Sequence, residues 1–378
     1  MKTAPLLLLT TAALILQPGQ PDRADAPPRY RLTVLPLDFY GYNAVDSEDR
    51  RGGINAQGQI VGAFSVRSGT LRDERVALWQ KGCPLRILDK RPVTREDTES
   101  DRDFLYPTAI NRRGEATGAE TISSSGAYTI RTSTACILWN GRLNRLYQGF
   151  PSKGDTNSVA LGLNDRGEVV GGFVYNNNGM PARDDFSTSS GLGSRHAFLR
   201  RNGQIITLWP GIARGINNQG QIVGTKDAGG DDRRRDRGVL WRNGHITLLK
   251  MQPVAINDRG WIAGNVPVTE DDGRACLWRN GRVTLLSKNI SRAYALNGRG
   301  DVVGELRAPA SSHPTRAALW RRGHAYDLNR CVNLPRNWIL ATALGINDKG
   351  WIIGEGGVYE SPREKQPIKQ FTFLLTPR

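Results

Sequence analysis

Cysteine and histidine are both scarce, at four residues each in a chain of 378. Cys83, Cys136, Cys276 and Cys331 form no Cys-x-x-Cys pair, the spacing that zinc and redox sites use. Cys136 and Cys276 lie inside apolar runs, where a small buried thiol is the default, so at most one disulfide is expected. His245 and His324 each follow a turn glycine, a place filled elsewhere by Gln204, Arg142 or Arg282. Such interchange marks a surface residue, not a base or a ligand. Phrases of the Gly-x-Ser-x-Gly, His-Glu-x-x-His and phosphate-loop kinds are missing. The charged run Asp227–Arg237 lacks the order of a calcium loop and reads as solvated, and no metal or cofactor is indicated. Beyond the first residues, no apolar run reaches the length of a membrane-spanning helix. Acid is also short: 36 Asp and Glu against 52 Lys and Arg leave a net charge of +16, which favours polyanionic partners.

Glycine is abundant, 43 residues or about 11%, against roughly 7% in an ordinary chain. With 20 prolines and 38% apolar residues, this describes a chain that folds and turns often. Its start has the layout of a signal peptide: Met1-Lys2, an apolar run from Ala4 to Leu16, then Ala24-Asp25-Ala26 as a small-residue exit. The expectation is a leader at residues 1–26, one repeat domain at 27–378, and a secreted or periplasmic product. Removing Lys2, Arg23, Asp22 and Asp25 leaves the charge at +16.

One phrase recurs seven times. It reads GINAQGQIVG at Gly53–Gly62, then AINRRGEATG, GLNDRGEVVG, GINNQGQIVG, AINDRGWIAG, ALNGRGDVVG and GINDKGWIIG. Its anchors are Asn55, Asn111, Asn164, Asn217, Asn257, Asn297 and Asn347, at intervals of 56, 53, 53, 40, 40 and 50. Periods of this size indicate a solenoid or a propeller. A second phrase follows in six units, as in VALWQKG, VLWRNG and ALWRRG, and is shortened to Phe373-Leu374-Leu375 in the last. The residues leading into Asn form one strand. Asn-x-x-Gly is a tight turn in which Asn bonds nearby backbone and Gly accepts positive φ. The I-V-G run returns, the L-W run is a third strand, and Asn-Gly turns the chain into a fourth. Four antiparallel strands, a to d, in some 40 residues make a propeller blade. The last unit lacks strand d, and Tyr30–Leu35 is a spare strand that supplies it. The expected fold is therefore all-β, a seven-bladed β-propeller-like repeat closed by an N-terminal strand.

These phrases resemble the HAF family of extracellular repeat proteins, named for a His-Ala-Phe motif. The motif itself occurs once, at His196-Ala197-Phe198, and Arg75, Arg237, Arg274 and Arg316 replace the histidine in four units. The C-terminal run also matches, through Asp327-Leu328-Asn329, Trp338-Ile339-Leu340 and Phe373-Leu374-Leu375-Thr376-Pro377. The resemblance covers the whole mature chain. It implies export and a propeller-like repeat, and no reaction.

In such a fold the a–b and c–d turns share one face. Five a–b turns place a cation before the glycine: Arg113, Arg166, Arg259, Arg299 and Lys349. Trp261 and Trp351 begin b strands beside them, in reach of a sugar or base. The c–d turns add Lys81, Arg142, Arg201, Arg242, Arg279, Arg321 and Arg322, which makes a basic ring on one face, and the seven a–b residues are its candidate ligand-binding residues, for a polyanion or glycan. Arg237–Trp241, Arg274–Trp278 and Arg316–Trp320 share a strand face and are expected to make cation–π contacts. The opposite face holds every long insertion, including Lys90–Tyr106, Tyr175–Arg195 and Lys226–Asp236. The expected role is a non-catalytic binding or scaffold module for cell-surface polyanions or a protein partner. The alternative is a carbohydrate-active hydrolase or lyase with its site on the long-loop face.

Overall fold

The structure is a computed structural model. It describes residues 27–37, 39, 53–68, 71–88, 102–124, 130–146, 157–176, 193–228, 236–269, 272–307, 315–361 and 366–378. The leader expected at residues 1–26 lies outside them, as do the middles of most long insertions. Among the described residues no helix is long and apolar enough to cross a membrane. Among the described residues, a 3-10 turn at Leu328–Arg330 interrupts the strands.

The fold is all-β and β-propeller-like. Each repeat phrase forms an antiparallel meander, as in Ser291–Leu296, Val302–Arg307, Thr315–Arg321 and His324–Asp327. Five sheets have four strands, and a sixth has seven. The seven-stranded sheet arises because Gln204–Ile216 runs unbroken from strand d of one unit into strand a of the next. Part of the long-loop face is strand: Ala116–Ser124 pairs along its whole length with residues 130–138.

Tyr30–Leu35 pairs antiparallel with Lys369–Pro377, from Tyr30 opposite Pro377 to Leu35 opposite Thr372. The two ends of the chain thus share one sheet with Trp338–Ile346 and Ile352–Val358. Alternating apolar residues are buried between neighbouring units. Val61, Val76 and Leu78 of the first unit meet Ile110, Ala116 and Leu138 of the second. Leu35, Ile353 and Leu374 of the last meet Ile60 and Ala77 of the first.

The anchor asparagines explain why the phrase recurs. Each is 2–7% exposed. In every copy Oδ1 accepts the backbone N–H groups two and four residues on, as in Asn217 with Gln219 at 3.1 Å and Gln221 at 2.9 Å. Nδ2 donates to the carbonyl oxygen of the next unit's anchor asparagine. These bonds run from Asn55 to Asn111 to Asn164 to Asn217 to Asn257 to Asn297 to Asn347, at 2.9–3.2 Å. The chain of bonds then returns from Asn347 Nδ2 to Asn55 O at 3.0 Å. A buried carboxamide this well satisfied is structural, and no other side chain offers both donor and acceptor at that length.

His196-Ala197-Phe198 lies in strand c. Ala197 and Phe198 are fully buried, and the His196 ring stacks on Phe173 of strand b at 5.4 Å. The expected contacts within Arg237–Trp241 and its two counterparts are not formed. Four residues along a strand span about 13 Å, too far for a cation to reach the indole. Among the described residues Arg259, Arg279 and Lys349 stand over indoles, the first and last on a–b turns and Arg279 at the end of a strand c.

Candidate functional site

The a–b turns of all seven units meet around an axial mouth of about 210 Å³. The residue after each anchor lines it: Ala56, Arg112, Asp165, Asn218, Asp258, Gly298 and Asp348. Where a side chain permits, the N–H of one bonds the next unit's carboxylate or amide. Arg112 N donates to Asp165 Oδ1 at 2.9 Å, Asp165 N to Asn218 Oδ1 at 2.8 Å and Asn218 N to Asp258 Oδ1 at 2.8 Å. Gly298 N donates to Asp348 Oδ1 at 2.7 Å. The axis is therefore lined by amides, three carboxylates and Arg112, whose Nε lies 3.4 Å from Asp165.

The predicted ring surrounds this mouth, and most of its charge is already engaged. Arg113 Nη2 lies 2.6 Å from Glu115, Arg166 Nη2 lies 2.5 Å from Glu168, and Arg299 Nη2 lies 3.4 Å from Asp301. Arg201 and Arg321 reach in from the c–d turns to the same Glu168 and Asp301, at 2.5 and 3.2 Å. Burial acts to raise the Glu168 carboxyl, but hydrogen bonds from Arg166, Asn164 and Arg201 outweigh it and hold it below the usual carboxylate range. Arg259 and Lys349 face indoles instead, 5.2 Å over Trp261 and 5.5 Å over Trp351.

Both tryptophans pack against the turn of the following unit. A Cβ on Gly300 would stand 2.5 Å from Trp261 Cζ3, and one on Gly58 would stand 2.5 Å from Trp351 Cζ3. Those glycines have φ of 89° and 87°, so the turn needs them for conformation and for room alike. Arg279 covers the Trp261 ring at 3.9 Å.

The seven a–b turns carry six cations and six acids in the four residues after Asn, a net of zero. The c–d turns differ. Within two residues of the turn glycine, the first six hold Lys81, Arg142, Arg201, Arg242, Arg279, Arg282, Arg321 and Arg322, and no acid. Lys81, Arg142, Arg242 and Arg282 are exposed and make no ion pair among the described residues. Net positive charge thus sits on an outer rim, around a–b turns whose charges, axial aspartates included, sum to zero. The sequence contained the inner half of this signal, in the Arg-Gly-Glu and Arg-Gly-Asp spacings that put Arg113, Arg166 and Arg299 two residues from their counter-ions.

On the opposite face, Asp227 and Asp236 at the base of the charged insertion both hold Arg195, whose Nη2 lies 2.5 and 2.9 Å from them. Burial first, then Asp227, raises the Asp236 carboxyl, while Arg195 opposes. Residues 229–235, between these two aspartates, lie outside the described set. A second cavity of about 150 Å³ lies on that face, lined in part by Arg292, Glu305, Arg307 and Asp272. Thr342 donates to Glu305 at 3.0 Å, and Arg307 spans both oxygens of Asp272 at 2.7 and 2.6 Å. No group of three or more metal-ligating side chains occurs among the described residues.

No known family description matches the chain, and no curated protein does. Solved structures do. One is an acylaminoacyl peptidase from Pyrococcus horikoshii, with a TM-score of 0.48 and 10% identity over 80% of this chain. This chain spans about half of that one, 48% of its length. Another is the β-propeller domain of the trilobed protease from Pyrococcus furiosus, described as having an open velcro topology. Its TM-score is 0.37, with 8% identity over 75% of this chain and all of that one. These neighbours correct the expectation of a non-catalytic scaffold module: they are a peptidase and a domain of a protease, and the scaffold role is left without support. At such scores the likeness assigns no activity to this chain either.

Proposed function

We propose that the chain is an exported, closed seven-bladed β-propeller of the HAF kind, and that its turn face takes an anionic polymer along the outer rim. The circuit of asparagine bonds from Asn55 to Asn347 and back supports closure. So does the pairing of Tyr30–Leu35 with the C-terminal strand. The leader-like first 26 residues support export.

The observation that carries the binding surface is the charge distribution: eight cations and no acid at six c–d turns, outside a–b turns whose charges sum to zero. A sulfated or phosphorylated polymer follows the rim and avoids Asp165, Asp258 and Asp348 at the axis. Among the ring residues, Arg259 and Lys349 assist it most, because no carboxylate is salt-bridged to them among the described residues. Arg113, Arg166 and Arg299 contribute only their half-exposed outer edges, and Trp261 and Trp351 hold the turns that carry the cations. Such binding is compatible with catalysis elsewhere on the chain.

Purified protein on immobilised heparin tests this. With about six contacts made, affinity falls roughly a thousandfold between about 50 and 200 mM salt. Retention at low salt with release at high salt is expected. No retention, or retention that salt leaves unchanged, overturns the reading.

A further inference from the structure

Four c–d turns close with the same dipeptide: Asn140-Gly141, Asn202-Gly203, Asn243-Gly244 and Asn280-Gly281. Each asparagine is exposed, with φ between 47° and 52°, and its carboxamide makes no hydrogen bond among the described residues. Around Gly203, Gly244 and Gly281 the space where a Cβ would sit is open. The backbone does not demand asparagine here, because Arg322 takes a φ of 50° at the equivalent place. A free carboxamide next to an unhindered glycine nitrogen has a known fate in water.

We propose that these four turns are sites of spontaneous deamidation, and that the modification progressively discharges the rim. The second part rests on the polyanion reading above. The glycine nitrogen attacks Asn Cγ, so an N–Cγ bond forms, the Cγ–Nδ2 bond breaks, and ammonia leaves with the proton from the glycine N–H. Water then opens the cyclic imide at either carbonyl and leaves aspartate or isoaspartate. Water is the only co-reactant. Each event sets one negative charge beside Arg142, Arg201, Arg242, or Arg279 and Arg282.

The chain carries its own control. Asn297-Gly298 is the same dipeptide, but Asn297 is 3% exposed. Its Oδ1 accepts from Arg299 and Asp301 at 3.0 and 2.9 Å. Its Nδ2 donates to Asp301 and Asn347 at 3.1 and 3.2 Å. The Gly298 nitrogen, which would attack, donates its proton to Asp348 at 2.7 Å. Both reaction partners are held apart.

The test is peptide mapping by mass spectrometry after incubating the whole protein in warm, mildly alkaline buffer. The expected result is several-fold faster deamidation at the four turns than at Asn297. Equal rates overturn the proposal. So do four intact turns after a time in which short peptides of the same sequences react fully. For the effect on binding, heparin affinity is followed against salt for fresh protein and for Asn243→Asp/Asn280→Asp, which keeps a good Asp-Gly turn. The salt slope is expected to fall by about one for each turn altered. An unchanged slope in a variant that binds overturns the discharge of the rim and leaves polyanion binding standing. Fresh protein that does not bind overturns polyanion binding, while the peptide map still decides the modification.

Discussion

Replacing Asn217 by alanine removes one link of the asparagine circuit, and the structure says how much that costs. Asn217 Oδ1 accepts from Gln219 N and Gln221 N, and Nδ2 donates to Gln221 Oε1 at 2.8 Å and Asn257 O at 3.0 Å. The residue is 2% exposed. Water reaches the turn at Gln219, which is exposed, so that N–H is re-satisfied. The Gln221 N–H loses its partner, while the Asn257 carbonyl keeps the N–H of Gly260 at 2.9 Å. One stranded donor costs about 1–3 kcal/mol and the lost second bond about 1 kcal/mol, so the variant loses about 2–4 kcal/mol. Asn218→Ala is the matched control: it also loses bonds to both neighbouring units, but on the solvent-facing rim, at a cost of roughly 1 kcal/mol or less. Urea unfolding measures both, as a shift in midpoint at unchanged slope. If Asn217→Ala is no less stable than Asn218→Ala, the circuit does not hold the units together.

Other outcomes follow from single sites. Gly300→Ala meets the Trp261 ring and keeps a positive φ, whereas Gly203→Ala has open space and only the φ to contend with. The first is expected to lose about 1–3 kcal/mol more than the second in the same unfolding assay. Burial raises Tyr30 above the ordinary 10.0, with Asp301 and Cys331 adding to the rise and Arg321 opposing it. The unfolded chain ionises first, so the contribution of Tyr30 is intact below pH 10.0 and is lost as pH climbs from there towards the folded value. Its hydroxyl interacts with the Arg321 guanidinium but makes no hydrogen bond of ordinary geometry among the described residues, so Tyr30→Phe costs about 1 kcal/mol at neutral pH and moves alkaline unfolding upward. Burial pushes the Cys276 thiol up to about 12, and Cys136 and Cys331 are buried too, so a thiol reagent on native protein titrates Cys83 quickly and the other three only on unfolding.

The repeat was legible because it is local. Asn-x-x-Gly sets a turn by bonds within five residues, and apolar alternation marks the strands around it. The spare strand at Tyr30–Leu35 could be read because the last unit lacks its d strand. What the asparagine does with its Nδ2 could not be read, because its partner lies 40 to 56 residues on, in the next unit, and returns from Asn347 to Asn55. The ring of cations was visible at Arg113, Arg166 and Arg299. Their pairing with Glu115, Glu168 and Asp301 is equally visible in the spacing, because each acid stands two residues on. The arginine–tryptophan pairs of strand c failed for a simpler reason: a shared face does not bring residues 13 Å apart into contact. The scaffold role had no residue behind it, because a missing motif neither assigns nor excludes chemistry.

The salt dependence of heparin binding in two charge-matched double variants tests the binding surface most directly. Arg142→Gln/Arg282→Gln removes two charges from the rim, and Arg113→Gln/Arg166→Gln removes two from the inner ring. The rim pair is predicted to lower the slope of log affinity against log salt by about two, and the inner pair by clearly less. An equal fall in both, or a larger fall in the inner pair, contradicts a polymer held on the outer rim.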